Sequence, residues 1–528
     1  MKLGAVLIDT ESIQEYIFIS NKLKENIGAS HIVKEIYGSV LKEALQIACG
    51  SSGGEFDIKM WEKDPDNVAI LGSGAKIEAE VGYIGGGNAL ILFKNTDIIN
   101  NFIRCYTRLI LQKAPGLRTI FGACSDFDID NYGNSMETLH DKLIENRNKY
   151  FPIVALPKYG FTLDCPRTDE SAEFCYFGEE NGEVEYESIS SAAYAKLEAS
   201  RDASKEALSV LGRYILKGKY TLTDNTNKIS QLKEREYVAV VHIDGNKMGE
   251  RFKKCNNLAE ARKLSKSVKE AAEKAFRTMT EALVEKMENG AISKENGFEE
   301  IFFGENEKER ILPLRPIIIG GDDITFICDG ALGVWLAETF IKNYSNQKVS
   351  DNKPLSACGG VIIVKTKYPF YKAYIMAKEL TENAKNKSRV DQDSSYLDFF
   401  ASPKGWNGNL EEFLNSRLKS ANNCCLHFGP YKVCTESNYT NYEENLIDNL
   451  KYIVRVFKDF PKNKLMKLRE VLFEDEKKAK IFVEGLKAEG LNLPPVEGLT
   501  YHKAIWHNRR TPYFDAIELL DFYPEELL

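Results

Sequence analysis

The fold is decided by the stretch Ile317-Ile318-Ile319-Gly320-Gly321-Asp322-Asp323-Ile324-Thr325-Phe326-Ile327. Apolar residues of high β-propensity run into two glycines and two adjacent carboxylates, and then resume in alternation with a threonine. This pattern predicts a β-hairpin that carries the acidic pair at its turn. The glycines permit a tight bend and leave room for a ligand to approach. Neighbouring aspartates repel each other unless they are protonated or neutralised, and Mg²⁺ is the usual neutraliser. A solvated acidic turn is the alternative interpretation.

A second β-type run lies upstream and also ends in a carboxylate. It extends from Val238 to Asp244, and the glycine-bounded loop Gly245-Asn246-Lys247-Met248-Gly249 and a long helical pattern follow it. This order presents backbone N–H groups that suit a triphosphate. If the run pairs with the acidic hairpin, three aspartates converge at one edge of a sheet. These oxygen donors, with the carbonyl of Ile243 as a fourth, predict Mg²⁺ or Mn²⁺ for nucleotidyl transfer.

The composition is that of an ordinary globular chain. The 528 residues are 43% hydrophobic and 28% charged, and the net charge is −8. This charge argues against a free-standing nucleic-acid binder held by bulk electrostatics. No apolar run approaches the length of a membrane span, so the sequence predicts a cytoplasmic protein without membrane association. The 11 cysteines are scattered and odd in number, which favours reduced thiols over a disulfide framework.

The first part of the chain repeats the pattern of the second. One strand-like run ends at Asp9, and the run from Gly82 to Phe93 has the pattern of another hairpin. The interval from the strand aspartate to the last turn residue is 79 residues in both copies. Long repeats indicate duplicated structural units, and only the second copy keeps the acidic hairpin. The alignment places Asp9, Gly85, Gly87 and Asn88 on Asp244, Gly320, Asp322 and Asp323.

A strand ending in aspartate, a helix and a Gly-Gly-Asp-Asp hairpin resemble the palm domain of nucleotide cyclases, diguanylate cyclases and CRISPR polymerases. The segment Asp244–Gly249 makes the resemblance more specific. It resembles the large polymerase/cyclase subunit of type III CRISPR effector complexes, of the Cmr-like kind that lacks the HD nuclease domain. The resemblance continues through Leu355–Ile363 and Tyr368–Phe370 into a helix from Ala373 to Lys387. One departure is Asn246, where the family often has a second acidic residue.

The resemblance implies an α+β fold with two ferredoxin-like palm domains, of the nucleotide cyclase/polymerase type, plus helical domains. The implied division is a first, degenerate palm at 1–160, a helical inter-palm domain at 161–232, a catalytic palm at 233–400 and a C-terminal helical domain at 401–528.

Two features of the family are not expected in this chain. A zinc-binding segment often lies between the palms, but only Cys165 and Cys175 lie there, and structural zinc takes four ligands. The segment is therefore vestigial and zinc is not expected. An HD nuclease needs several histidine and aspartate ligands, which the six histidines do not provide, so no nuclease activity is expected.

The resemblance also implies which residues act. Lys385 is carried over as a triphosphate contact, and Gly320, Gly321 and residues 245–249 are the other nucleotide-binding positions. Asp244, Asp322 and Asp323 are the catalytic and metal-binding residues. The acceptor nucleotide would lie against Gly86, Gly87 and Asn88 of the first palm. The alternative is that the first palm serves only as a packing partner.

The implied activity is metal-dependent nucleotidyl transfer from ATP with release of pyrophosphate. The implied partners are other type III effector subunits and, through the complex, guide RNA and target RNA. Two products stay open: a cyclic oligoadenylate, or AMP joined to S-adenosylmethionine, which some relatives without the nuclease domain make. Two other classes also stay open. One is a stand-alone palm enzyme that makes a cyclic dinucleotide without RNA, and the other is a non-catalytic scaffold subunit.

Overall fold

The chain is described by a computed structural model. It describes residues 2–50, 53–72, 76–149, 160–168, 170–180, 183–211, 218–233, 236–303, 308–392, 394–401, 409–435, 445–474, 476–495, 505–506 and 508–528.

Sixteen strands are present in these ranges. In chain order, β1 to β16 are Lys2–Glu11, Glu55–Asp57, Ile77–Gly85, Asn88–Phe93, Arg118–Asp128, Phe174–Glu180, Glu183–Ile189, Tyr220–Thr221, Tyr237–Gly245, Phe302–Phe303, Glu309–Ile311, Leu314–Ile319, Asp323–Asp329, Ala357–Lys365, Tyr396–Ala401 and Tyr431–Lys432.

Seventeen α-helices are present in the same ranges, together with a π-helix at Ile36–Val40. In chain order, α1 to α17 are Ile13–Phe18, Leu23–Glu35, Leu41–Gly50, Met60–Lys63, Ile98–Lys113, Tyr132–Lys149, Ser191–Leu211, Thr226–Ile229, Met248–Lys253, Leu258–Glu288, Gly333–Ser345, Phe370–Val390, Leu410–Arg417, Ile447–Lys458, Lys462–Leu472, Glu476–Ala488 and Tyr513–Leu519. None of them has the length and hydropathy that crossing a bilayer requires.

The chain divides into two compact units. Unit 1 comprises Met1–Ser209, Lys247–Ala272 and Val349–Lys353, and unit 2 comprises Val210–Asn246, Glu273–Lys348 and Pro354–Leu528. The boundaries fall inside the predicted phosphate loop and inside α10. The four-part division of the sequence uses different boundaries and stays a prediction.

Unit 1 is built on a five-stranded sheet in the order β2-β3-β4-β1-β5. Its inner strand β1 is buried at every residue from Leu3 to Ile8. Helix α5 packs on this sheet with an apolar face that includes Phe102 and Tyr106, and α6 packs on β5 and β1. Burial of these side chains is the main stabilising contribution to the unit.

Unit 2 is built on a six-stranded sheet in the order β12-β13-β9-β14-β15-β16. The surroundings of two adjacent glycines in β14 show that helices cover both faces of this sheet. A Cβ at Gly359 would lie 3.2 Å from Ile341 of α11, whereas a Cβ at Gly360 would lie 2.1 Å from the carbonyl oxygen of Ala377 in α12. Successive strand residues point to opposite faces, so α11 and α12 lie on opposite sides of the sheet.

The two sheets share one topology. Strands β3-β4-β1-β5 of unit 1 have the order of β12-β13-β9-β14 in unit 2. Each hairpin also contains a bulge at the equivalent place, since the register shifts around Gly82 in β3 and around Ile317 in β12. A shared bulge is a specific feature of a strand pair. The predicted duplication is therefore present, and the α+β class with palm and helical parts is confirmed.

The segment predicted as the helical inter-palm domain also contains a β-hairpin. Strands β6 and β7 pair in register from Phe174↔Ile189 to Glu180↔Glu183. Buried Ile189 joins Cys165 and residues of α7 in a small hydrophobic cluster. The many acidic residues of this segment hide the apolar alternation that would predict a strand pair.

The C-terminal part of unit 2 is attached to the palm sheet through a buried charged cluster. The imidazole of His427 lies between two carboxylates, with Nε2 2.9 Å from Asp398 Oδ1 and Nδ1 3.2 Å from Asp515 Oδ1. Asp398 belongs to β15, and Asp515 belongs to α17. The same Asp515 accepts a hydrogen bond from the hydroxyl of Tyr431 at 2.7 Å. The two carboxylates raise the pKa of His427 well above its usual value despite burial.

Candidate active site

The predicted acidic residues meet at one end of the unit 2 sheet. In the antiparallel pairing of β9 and β13, Asp244 lies directly opposite Asp323. Residues that oppose each other across two strands share a face, so these two side chains project to the same side. The chain bends between β12 and β13, and Asp322 lies in this bend. Its carbonyl oxygen accepts a hydrogen bond from the amide of Gly245 at 2.9 Å.

Glycine is needed at position 245 because the strand end approaches the acidic bend closely. A Cβ there would lie 3.0 Å from the Cβ of Asp322 and 3.2 Å from the hydroxyl of Tyr344. By contrast, Gly320 and Gly321 do not occupy the left-handed backbone region. A Cβ at Gly320 would lie 3.0 Å from the carbonyl oxygen of Asp323. Glycine at position 320 therefore allows the bend to pack closely, and it is not required by an unusual φ.

The local electrostatics favour a proton or a cation at the acidic bend. Burial raises the pKa of Asp322 to about 7, and the charges of Asp244 and Asp323 raise it further in the same direction. A carboxyl whose ionised form is destabilised by burial and by neighbouring anions gains stability when a cation approaches.

We expect the variant Asp322→Asn to have a larger free energy of unfolding than the wild type at pH 8. The pKa of Asp322 is raised from 3.8 to about 7 in the folded state. The folded state therefore retains a proton that the unfolded chain has lost, so stability falls as pH rises through this interval. The variant removes that ionisation and should gain about 2 kcal/mol at pH 8.

Chemical denaturation of the metal-free protein at pH 4 and pH 8 measures this difference. The gain should be much smaller near pH 4, where the carboxyl is protonated in the folded state and only about half ionised in the unfolded chain. A variant that is less stable than the wild type at both pH values would contradict the prediction.

Lys385 is placed beside the acidic residues by helix α12. Its Nζ lies 2.7 Å from Oδ2 of Asp244. The helix covers the face of the sheet that carries Asp244, and the hydroxyl of Thr381, one turn earlier, donates to the carbonyl of His242 at 2.9 Å. The position predicted for a triphosphate contact is thus a cation that already faces the acidic site.

His242 is a packed strand residue, as the sequence indicated. It is buried, and burial lowers its pKa to about 4, which keeps the imidazole neutral. Its Nδ1 lies 3.1 Å from the hydroxyl oxygen of Thr325, the residue opposite it, and 3.4 Å from Oδ1 of Asp323. The ring of Tyr374 packs edge-on against it. These contacts of His242 with Thr325, Asp323 and Tyr374 support the pair Asp244 and Asp323.

The loop 245–249 differs in part from the prediction. The amides of Gly245 and Asn246 are not available to a phosphate, because they donate to the carbonyls of Asp322 and Ser356 at 2.9 Å each. The Asn246 side chain donates to the hydroxyls of Ser356 and Ser388 at 3.0 and 3.1 Å. This residue therefore connects the loop to α12. Met248 and Gly249 begin the short helix α9.

Unit 1 contains the equivalent arrangement without the acidic bend. Asp9 lies opposite Asn88, and the amide of Thr10 donates to the carbonyl of Gly87 at 3.0 Å, as Gly245 does to Asp322. Here Gly86 and Gly87 both have left-handed φ values, 59° and 78°. The three predicted acceptor residues thus form the turn between β3 and β4.

The sequence did not assign a role to Arg147 of α6. Its Nη2 lies 2.8 Å from Asp9 Oδ2 and its Nε lies 2.6 Å from Glu11 Oε1. This ion pair is the unit 1 counterpart of the Lys385–Asp244 pair. The alignment of the segment around Arg147 with the segment around Lys385 contained the signal, since both helices place a cation near the strand aspartate.

The three aspartates of unit 2 offer carboxylate oxygens, which are the ligands that a hard divalent cation prefers. Two of these carboxylates are on directly opposed residues, and a cation would stabilise the ionised form of the third. Across the ranges that the structure describes, no three His, Cys, Asp or Glu side chains are already gathered as a metal site. The residue types therefore fit Mg²⁺ or Mn²⁺, and Lys385 provides the positive charge next to Asp244 in this structure.

Comparison with known proteins addresses the same part of the chain. Residues 237–394 match the family model of the Cas10/Cmr2 second palm domain. These residues belong to the Cas10/Cmr2 second palm family. The match covers β9, the acidic hairpin, β14 and α12, which are the elements that build the site. The resemblance stated from the sequence is confirmed for this palm.

Solved structures show that the likeness in fold extends beyond the Cas10/Cmr2 palm. The chain is similar to the Csm1–Csm4 cassette in complex with pppApApA, with a TM-score of 0.50 and 13% identity over 100% of this chain and 69% of the other. It is also similar to the cassette in complex with AMPPNP (TM-score 0.49, 13% identity, coverage 100% and 69%). A third similar structure is Csm1 in T. onnurineus (TM-score 0.48, 13% identity, coverage 100% and 70%). No curated protein matches the sequence.

Proposed function

We propose that this chain is the large subunit of a type III CRISPR RNA-guided antiviral effector complex in the cytoplasm. It synthesises a nucleotide second messenger from ATP by metal-dependent nucleotidyl transfer. The observation that carries the proposal is the opposition of Asp244 and Asp323, with Asp322 beside them and Lys385 bound to Asp244. The effector partners, guide RNA and target RNA are part of the same proposal.

The three aspartates would hold Mg²⁺ or Mn²⁺, with the carbonyl of Ile243 as a further ligand. When bound, such an ion lowers the pKa of an attacking hydroxyl and stabilises charge on a transferring phosphoryl group. Lys385 supplies a cation for the phosphates of the donor ATP, and residues 245–249, Gly320 and Gly321 form the surrounding backbone.

The acceptor nucleotide binds at the turn Gly86-Gly87-Asn88 of unit 1. Gly86 is exposed, and the open space where its Cβ would be leaves the backbone there accessible to a nucleotide. A structure of the same fold was solved with pppApApA, a linear chain of adenylates. This supports ATP as the donor and an adenylate as the acceptor. Zinc has no role in the proposal.

The experiment that tests the function is product analysis with labelled ATP. The chain, alone and assembled with its effector partners, guide RNA and target RNA, is incubated with ATP and Mg²⁺ or Mn²⁺, with and without S-adenosylmethionine. Mass spectrometry then separates a cyclic oligoadenylate from AMP joined to S-adenosylmethionine. A cyclic dinucleotide formed without RNA would instead indicate a stand-alone palm enzyme. Absence of pyrophosphate release under every condition would leave a scaffold subunit.

We expect Lys385→Ala to weaken ATP binding by about 10- to 100-fold, because a charge-assisted contact to phosphate is worth about 1.5–3 kcal/mol. Binding of a fluorescent ATP analogue measures the effect. The matched control is Arg389→Ala, one turn later on the same helix, whose guanidinium contacts Glu382 and Asn386 at the surface. Equal affinities of the Lys385 variant and the control variant would contradict the role of Lys385.

A further inference from the structure

The hairpin that carries the predicted acceptor turn is held by a helix that begins nine residues after the loop 245–249. Helix α10 starts at Leu258, and its first half belongs to unit 1. Arg262 and Ser265 lie one turn apart on this helix and both donate hydrogen bonds to carbonyl groups of strand β3. The sequence assigned no role to either residue.

Arg262 binds the bulge in β3. Gly82 is the extra residue of the bulge, and a bulged residue is left out of the regular ladder. The Nε of Arg262 donates to its carbonyl at 2.7 Å, and Nη2 reaches the carbonyl of Val81 at 3.2 Å. The guanidinium thus binds the carbonyl groups of two consecutive residues at the bulge, Val81 and Gly82.

The guanidinium is itself fixed by a second set of contacts. Its Nη2 lies 2.8 Å from Oε1 of Glu80, and its Nη1 donates to the carbonyl of Asn67 at 2.8 Å. Neither Arg262 nor Glu80 has exposed surface. The other carboxylate oxygen of Glu80 accepts the amide of Ile70 at 2.8 Å. A buried ion pair whose two members make several hydrogen bonds is fixed in one orientation. It can therefore hold the bulge of β3 in place.

Ser265 holds the same strand nearer to the turn. Its hydroxyl donates to the carbonyl of Ile84 at 2.8 Å, and a Cβ at Gly85 would lie 2.8 Å from that hydroxyl oxygen. The turn is also held by a phenol. The hydroxyl of Tyr37, in the π-helix, donates to the carbonyl of Gly87. The side chains of Arg262, Ser265 and Tyr37, together with the pairing of β3 with β4, therefore fix the position of the turn.

We propose that Arg262 and Ser265 are positioning residues for the acceptor nucleotide, because they fix the hairpin that presents Gly86, Gly87 and Asn88. This inference rests on the proposed function. Neither residue touches the reacting atoms. Their loss should alter how tightly the acceptor is bound, and it should leave the binding of the donor to Lys385 and the acidic residues unchanged.

The test separates the acceptor from the donor by using labelled 3′-deoxy-ATP, which can donate its adenylate but has no 3′-hydroxyl with which to accept one. The full chain, in the assembled complex, receives saturating labelled 3′-deoxy-ATP and a varied concentration of ATP as acceptor. Formation of the labelled dinucleotide gives KM for the acceptor, and the converse titration gives KM for the donor. The variants are Ser265→Ala and Arg262→Lys. Lysine keeps the charge opposite Glu80 but cannot reach the other carbonyls at once.

We expect the KM of the acceptor to rise about fivefold in Ser265→Ala and at least about tenfold in Arg262→Lys, as loss of one or several hydrogen bonds implies. The KM of the donor should stay within about twofold of the wild type. A merely structural role would lower the active fraction, and hence kcat, and would leave both KM values unchanged. The matched control is Ser267→Ala on the same helix, since its hydroxyl donates to the carbonyl of Leu264 and accepts the amide of Ser350 without touching the hairpin.

Hydrogen–deuterium exchange of peptides that cover residues 80–93 gives a readout without catalysis. These amides should exchange faster in Ser265→Ala and Arg262→Lys than in the wild type and in Ser267→Ala. Unchanged exchange, or faster exchange with an unchanged KM for the acceptor, would overturn the inference. If the wild type forms no product, the proposed function fails separately. The inference is then supported if ATP protects residues 80–93 in the wild type and not in Arg262→Lys, and overturned if it protects them equally or not at all.

Discussion

Replacing Asp322 and Asp323 with alanine is expected to lower the rate of pyrophosphate release from ATP by at least about 1000-fold, because the variant loses two of the three carboxylates proposed to bind the metal. The fold should be unaffected, since both residues lie at the tip of a hairpin whose packed residues begin at Ile324. Removal of Asp322, whose ionised form is destabilised by burial and by the neighbouring carboxylates, should stabilise the metal-free protein near neutral pH.

The measurement is a continuous pyrophosphate assay on wild type and variant at equal concentration, with thermal unfolding of both as the check on folding. Asp126→Ala provides a matched control, because this aspartate of β5 is exposed and is not one of the proposed metal ligands. Pyrophosphate release by the double variant at more than about one tenth of the wild-type rate would exclude metal-dependent transfer at this hairpin.

Replacing His427 with alanine is expected to reduce the free energy of unfolding of unit 2 by about 3–5 kcal/mol. The imidazole is the cation between the buried carboxylates of Asp398 and Asp515, and its removal leaves two buried negative charges without the cation that they share. His140→Gln is the control, since His140 lies on the exposed side of α6 and its replacement should change stability by less than about 0.5 kcal/mol.

The stabilisation by His427 should depend on pH in a defined direction. Its pKa is raised above the usual 6.5 in the folded state, so the contribution is fully present below pH 6.5 and is lost as pH rises through the higher folded value. Urea denaturation at pH 6 and pH 9 measures this, and the difference between wild type and His427→Ala should be larger at pH 6. An equal difference at both pH values would show that the imidazole is neutral in the folded protein.

Much of the candidate site follows from local sequence pattern. The strand that ends at Asp244 and the acidic hairpin have unmistakable apolar runs, and a period of two fixes which residues share a face. The duplication was visible because the spacing between strand and hairpin is the same in both copies. Lys385 was found only through the resemblance, since nothing in its own helix distinguishes it from Lys378 or Lys387.

Other features depend on long-range contacts that no local pattern contains. The role of Arg262 requires a bulge almost two hundred residues earlier in the chain. The amides of Gly245 and Asn246 donate to the carbonyls of Asp322 and Ser356, which are distant in sequence. The charges in β6 and β7 concealed a hairpin, because hydrophobic periodicity was the signal used and the acidic residues interrupt it.

The left-handed turn in unit 1 constrains how the two copies can change over evolutionary time. An aspartate at position 87 would have to adopt a φ of 78°, which disfavours any residue with a Cβ by about 1–2 kcal/mol. Its Cβ would also lie 2.4 Å from Cδ1 of Ile13. A single substitution at position 87 therefore introduces an acidic residue there only at a cost in stability. Reversal without that cost would require the turn itself to be rebuilt, so the division of labour between the copies is held in place by backbone conformation as well as by side-chain chemistry.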